Sequence, residues 1–271
     1  MASLFVSSSH LRYVPFPHLR SLDLSDNNIR DAGIVEVAHN LSACIHLQQL
    51  KLQYNYISST GGEKVFSMVK FLPNLRVIDV RHNSLQMAGA FCLAKAISCC
   101  PHLQTLSASR NRMQPNGAIS ILRSLASSCM HLKELKLDNN NLNSDACAVI
   151  SECLRSCAHL QNLDLSDNPI GDQGVGYISQ LLPFLPHLQL LDLSYTSMGN
   201  PGVFALAGEI SSCLFLQELH LSRNVIEDVG VMRLTSSLQA CEFMGILDLS
   251  NNDLSKKCPH SALKGVSITF V

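Results

Sequence analysis

The 271-residue sequence predicts an α/β solenoid, an inner sheet of about nine parallel strands with helices on its outer side. Three observations predict it. The segment HLQNLDLSDNPIGDQG, from His159, recurs at a step of 28 residues, with one step of 29 between His102 and His131. Within each copy the apolar spacing changes from two residues to about four, the pattern of a strand followed by a helix. Apolar residues make up 46% of the chain without a single tryptophan, so the core must be built from aliphatic columns.

The elements follow in order within each copy. In LDLSDN, alternation sends Leu163 and Leu165 to one side of a short strand and Asp164 and Ser166 to the other. Beyond the loop, Gly174, Ile178, Leu182 and Leu185 fall on one helical face. Asp31, Ser59, Ser144, Asp172, Asn200 and Asp228 stand two residues before a glycine or alanine column and are expected to be helix N-caps. That column fails only at Cys258 and is expected to let backbones approach closely. One such unit cannot offset the entropy of ordering its own residues, so stacking on neighbours is what makes it fold.

Residues 18–258 are therefore expected to form one repeat domain. Residues 1–17, with Leu11, Val14 and Phe16, are expected to be a degenerate N-terminal cap, and 259–271 an irregular C-terminal tail or cap ending in the strand-like KGVSITFV. The pattern breaks down after Leu254, which leads us to expect a piece of a longer protein.

Each copy fits L-x-x-L-x-L-x-x-N-x-L. The Asn column is Asn27, Asn55, Asn83, Asn111, Asn140, Asn168, Asn224 and Asn252, with Thr196 the exception. This resembles the leucine-rich repeat family, ribonuclease-inhibitor-like subtype, and the resemblance implies a horseshoe. The Asn amide, with donors and an acceptor, suits loop backbone groups that no sheet ladder reaches. Thr196 does part of that work, so repeat seven is expected to be locally weaker.

Asp164, Ser166, Asp167, Asn168 and Asp172 are spaced like a calcium loop, but Pro169 stands where such a loop needs glycine. The pairs Cys44/His46, Cys100/His102, Cys129/His131 and Cys157/His159 suggest a zinc ladder, yet the cysteine column continues as Leu72 and Leu185, as a buried apolar column would. No metal or cofactor is expected. His220 should lie between Asp192 and Asp248 on neighbouring strands, with Ser194 and Ser222 facing the same way. An open sheet face offers this set no oxyanion donor, so no enzyme is expected.

Charged residues are 15% of the chain and the net charge is −1, which argues against nucleic acid and anionic membranes. No apolar run reaches the roughly 20 residues of a bilayer span. The cysteines are odd in number, eleven, and are expected to be reduced thiols in a cytoplasmic or nuclear protein.

The expected function is a protein-interaction scaffold with a protein or peptide ligand on the concave face. The outward strand positions vary between copies. Early copies offer Lys51, Tyr54, Arg81, His82 and Arg110; later ones offer Asp164, Asp167, Asp192, Tyr195, His220 and Arg223. Tyr and Arg are frequent interface anchors. The pattern N-x-I-x-D-x-G is similar to the repeat tails of NOD-like innate-immune receptors, which implies ligand sensing or restraint of a nucleotide-binding domain lying outside this sequence. Ran GTPase-activating proteins, a second resemblance, have less regular repeats. Ribonuclease inhibitors, a third, are richer in cysteine, often at the Asn position. Oligomeric state is not encoded in any of these patterns.

Overall fold

A computed structural model describes residues 3–5, 16–126, 129–255, 258 and 266–269, with the backbone alone at 3–5 and Cys129. The chain forms two compact units, Met1–Asn140 and Asn141–Val271. Each repeats one plan, a three-residue strand, a loop, and a helix that returns the chain to the next strand.

In the first unit the strands are β1 (Ser3–Phe5), β2 (Ser21–Asp23), β3 (Gln49–Lys51), β4 (Val77–Asp79), β5 (Thr105–Ser107) and β6 (Glu134–Lys136). Each pairs in parallel with the next. The helices α1 (Arg30–Leu41), α2 (Ser59–Val69), α3 (Gln86–Ile97) and α4 (Gln114–Leu125) follow β2 to β5. The register is the repeat itself: Leu22 lies opposite Leu50, Leu50 opposite Ile78, Ile78 opposite Leu106, and Leu106 opposite Leu135. All five are buried, and each is worth about 1.5–3 kcal/mol of hydrophobic transfer.

The second unit runs α5 (Ser144–Cys153), β7 (Asn162–Asp164), α6 (Gly171–Leu181), β8 (Leu190–Asp192), α7 (Asn200–Glu209), β9 (Glu218–His220), α8 (Asp228–Leu238), β10 (Ile246–Asp248) and β11 (Ser267–Thr269). Strands β7 to β11 are parallel neighbours in chain order. The nine expected strands are β2 to β10. Two more flank them: β1, within 1–17, pairs with β2, and β11, within 259–271, pairs with β10. Of both expected caps, residues 1–2, 6–15, 259–265 and 270–271 lie outside the described residues, Leu11 and Val14 included.

The N-cap expectation is corrected. Asp31 and Asp172 sit at the second helical residue, and Ser59, Ser144, Asn200 and Asp228 at the first. Four of these side chains serve the following repeat instead. Asp31 accepts from the backbone N–H of Ser58 at 2.8 Å and from its hydroxyl. Asp172 accepts from Gly199 and Gly202 N–H at 2.7 and 2.9 Å. Asn200 accepts from Glu227 N–H at 3.1 Å, and Asp228 from Ser255 N–H at 2.9 Å. The orphan donors at one helix start thus find acceptors on the helix before it. This explains three members of the glycine column, because a Cβ on Gly61 would run into Asp31 Oδ1, one on Gly202 would stand 2.8 Å from Asp172 Oδ1, and one on Gly230 2.6 Å from Asn200 Oδ1.

The asparagine ladder forms as the pattern predicts. Asn83 accepts from Asn55 and Ile57 N–H at 3.2 and 2.9 Å and donates to Leu52 and Val80 carbonyls at 2.9 and 3.0 Å. Thr196 breaks the pattern. Its hydroxyl donates to Leu193 O at 2.8 Å, and Ile170 N–H bonds to Asn168 O in its own loop at 2.8 Å. In the other repeats the equivalent N–H reaches an asparagine side chain, as Met198 reaches Asn224 at 3.0 Å.

The cysteine column is buried as expected among the described residues, and burial pushes its Cys100 and Cys213 thiols, and that of Cys147 within α5, up to about 12. Nine cysteines among the described residues carry free thiols. Cys157 corrects the expectation of reduced thiols throughout, since it is disulfide-bonded. No helix among the described residues is long and apolar enough to cross a membrane.

Candidate functional site

The loop after each strand has a fixed backbone. The residue before each column asparagine is left-handed, with φ of 58° at Tyr54, 52° at His82 and 54° at Arg110. The residue after it is left-handed at Tyr56 and Arg112 as well, both at 55°. The geometry is imposed by hydrogen bonding to the next repeat: Tyr54, His82 and Arg110 donate their N–H groups to Arg81, Ser109 and Asp138 carbonyls at 3.0, 3.0 and 2.9 Å. Asparagine or glycine adopts this region readily, whereas a bulky side chain costs about 1–2 kcal/mol there.

These five residues line one cleft of about 420 Å³ in the first unit, together with Asp26, Asn83, Ser84 and Asn139. Tyr54 and His82 stack with ring centroids 4.0 Å apart. Burial, and after it the Arg110 charge, holds the His82 pKa below its ordinary value, which keeps the ring neutral against the phenol. Tyr56 is 69% exposed, so the cleft presents aromatic surface directly to solvent.

The sequence-predicted cluster is thereby divided. Tyr54, His82 and Arg110 come together. Lys51 stays on the sheet, 3.8 Å from Asp23. Arg81 folds onto Asp79 with a 2.7 Å contact, and that carboxylate holds its guanidinium more firmly protonated than usual. Tyr56 and Arg112 were missed, because only outward strand positions were considered. The signal was available in the column after the asparagine, where these two residues replace small ones such as Asn28 and Ser84. On the same loops Gln53 Oε1 and Ser109 Oγ are buried without a hydrogen-bond partner among the described residues.

The second unit holds a smaller cleft of about 300 Å³. Of the later residues, Asp167, Asp192, Tyr195, His220 and Arg223 line it, with Asp248 and three serines. Asp164 lies outside it, its carboxylate accepting from Ser166 N–H and hydroxyl at 3.1 and 2.7 Å. Asp192 likewise accepts from Ser194 N–H at 2.9 Å. The register places His220 opposite Asp192 and Asp248, as expected, but the contact it makes is with Glu218 on its own strand, at 3.1 Å. Ser222 donates to Ser194 at 3.1 Å, so the superficial Ser-His-Asp set is not wired as a triad. No group of three or more metal-ligating side chains occurs among the described residues. Each histidine of the C-x-H pairs faces a histidine of a neighbouring repeat instead: His46 stacks on His18 at 6.4 Å and His102 lies tilted against His131 at 5.8 Å in the first unit, and His159 stacks on His187 at 5.9 Å in the second.

A family model described as Leucine Rich repeat matches residues 17–38, 43–66, 128–151, 156–179, 184–207 and 212–234, together more than half of the chain. The chain belongs to the leucine-rich repeat family. No curated protein matches it. Among solved structures, this leucine-rich repeat chain is similar to a chain of the octameric complex of Latrophilin 3 (Lec, Olf), Unc5D (Ig, Ig2, TSP1) and FLRT2 (LRR). The TM-score is 0.55 at 17% identity, over 94% of this chain and 70% of that one, a likeness of fold.

Proposed function

We propose that this leucine-rich repeat chain is a non-enzymatic scaffold that binds a protein partner, and that the partner sits on the cleft of the first unit. The observation that carries the reading is the left-handed backbone beneath Tyr54, Tyr56, His82, Arg110 and Arg112. Large side chains retained where asparagine would fit without strain are best explained by what they contact in a complex. The similar solved chain comes from a multiprotein complex, which supports a protein as partner.

Within the family we propose the ribonuclease-inhibitor-like subtype, on the 28-residue step and the helix in every complete repeat. The pattern shared with NOD-like receptor tails contains the capping Asp31, Asp172 and Asp228, whose work is structural. It therefore supports the subtype more than a receptor role. Stimulated hydrolysis by any of a panel of small GTPases would favour the regulator reading instead.

The test is affinity capture from lysate, read by mass spectrometry, with the wild-type chain, a Tyr54→Ala/His82→Ala/Arg110→Ala variant and a Tyr195→Ala/Arg223→Ala variant. Proteins lost with the first variant and kept with the second are the expected result. Equal recovery by all three would overturn the assignment of the first-unit cleft.

A further inference from the structure

The charges of the first-unit cleft are unevenly committed. Arg81 is engaged by Asp79 and Lys51 faces Asp23. Arg110 lies 3.8 Å from Asp138, a distance too long for a firm charge-assisted hydrogen bond. Arg112 makes no ion pair among the described residues and is exposed. Asp26 is the single acidic side chain in the lining. Two guanidinium groups thus meet a stacked phenol–imidazole pair, in a space large enough for one or two side chains.

We propose that this cleft recognises an anionic side chain, carboxylate or phosphate, in an extended acidic segment of the partner, with Arg110 and Arg112 as the anion's donors and the Tyr54–His82 stack as its wall. This rests on the first-unit cleft being the partner site. A planar guanidinium matches both anions bidentately, and two of them flanking Asn111 in one loop, beside Tyr54 and His82 from the two preceding loops, suit a segment that lies across repeats. Asp26 at the margin disfavours a second negative charge there, so it orients the segment.

His82 supplies an independent reporter. It is faced by Tyr54 from the loop after β3, by Asp79 and Arg81 from β4 and its loop, by Arg110 from the loop after β5, and by Asp138 from the loop after β6. Burial and Arg110 together outweigh the carboxylates and favour the neutral ring. An anion bound beside Arg110 offsets that charge and stabilises the protonated ring. Binding then takes up a proton, and affinity rises as pH falls toward the histidine range.

The experiment uses the full chain and four short labelled peptides: one rich in Asp and Glu, the same carrying a phosphotyrosine, its Asn and Gln counterpart, and a Lys-rich one. Anisotropy titration should show the two anionic peptides binding at least about tenfold tighter than the amide peptide. Added salt should weaken them, and Arg110→Gln/Arg112→Gln should abolish the preference. Arg223→Gln, in the second unit, should leave it unchanged. Whichever anionic peptide binds tighter identifies the anion. Thermal melts of each variant check that the loops still fold, and affinity should also increase at lower pH in wild type but not in His82→Phe.

Equal binding of the acidic and amide peptides, tighter binding of the Lys-rich one, no binding of any peptide, or full affinity in the double variant would each overturn the proposal. If capture of a partner is still lost with Tyr54→Ala/His82→Ala/Arg110→Ala, the scaffold reading survives and only the ligand chemistry falls.

Discussion

The two units solve one backbone problem with different side chains. In the first, Tyr54, His82 and Arg110 occupy the left-handed position, and each precedes a buried asparagine, Asn55, Asn83 and Asn111. In the second, Asp167, Tyr195 and Arg223 occupy it, and Tyr195 precedes Thr196. The first cleft is aromatic and basic on a complete ladder, whereas the second is mainly acidic, and its carboxylates accept from serines of their own loops. A strained display surface needs a rigid base, and the complete asparagine ladder supplies it in the first unit. The difference teaches that the spine is as informative about the site as the residues on show.

The largest expected effect separates the units by pH. The thiols of Cys100 in the first unit and of Cys147 and Cys213 in the second are raised from 9.0 to about 12 by burial. A folded pKa above the unfolded one means stability is full below pH 9 and is lost as pH rises toward 12. Each thiol adds a slope of up to about 1.4 kcal/mol per pH unit. Urea unfolding at increasing pH should therefore show a shallower decline for Cys147→Ala/Cys213→Ala than for Cys100→Ala; parallel curves would break this contrast.

Next comes the ladder. Asn83→Ala removes the acceptor for two N–H groups and the donor for three carbonyls, an expected loss of about 3 kcal/mol or more in unfolding free energy. Thr196→Ala should cost less, because that side chain already serves fewer groups. If the two losses are equal, the repeats are equally supported.

Gly202→Ala pushes a methyl group against Asp172 and Met198, with an expected cost of about 1–3 kcal/mol. Pairing it with Asp172→Ala should recover part of that in a double-mutant cycle, and additive losses would refute the cap carried between repeats. Conversely, Thr196→Asn should stabilise the chain by about 1 kcal/mol by offering Ile170 N–H an amide acceptor in the next repeat in place of Asn168 O, measured as an increase in denaturation midpoint.

The smallest change is the most telling for function. Tyr54→Asn and Tyr195→Asn should each stabilise the chain by up to about 1 kcal/mol, since asparagine tolerates the left-handed backbone. Partner capture should fail with the first and persist with the second. Stabilisation without loss of capture at Tyr54 would show that the strain there has no binding role.

Much of this was readable from the one-dimensional pattern. A fixed step, a switch from two-residue to four-residue spacing and an asparagine in eight of nine copies determine the strands, the helices, the ladder and its break at Thr196. Such features depend on contacts between equivalent positions, so the repeat writes them out in full. Where an interaction joins unlike positions, the pattern was silent or misleading. Asp31 looked like a cap for its own helix and is one for the next; Arg81 looked available and lies on Asp79; Tyr56 and Arg112 stand outside the strand positions and line the cleft. The amino-acid sequence by itself determined the repeating unit, because each copy states the same local periodicity and the same buried column. Only the tertiary structure decided which side chains meet, because left-handed loops and stacked helix starts turn them toward a neighbouring repeat whose distance no linear spacing records.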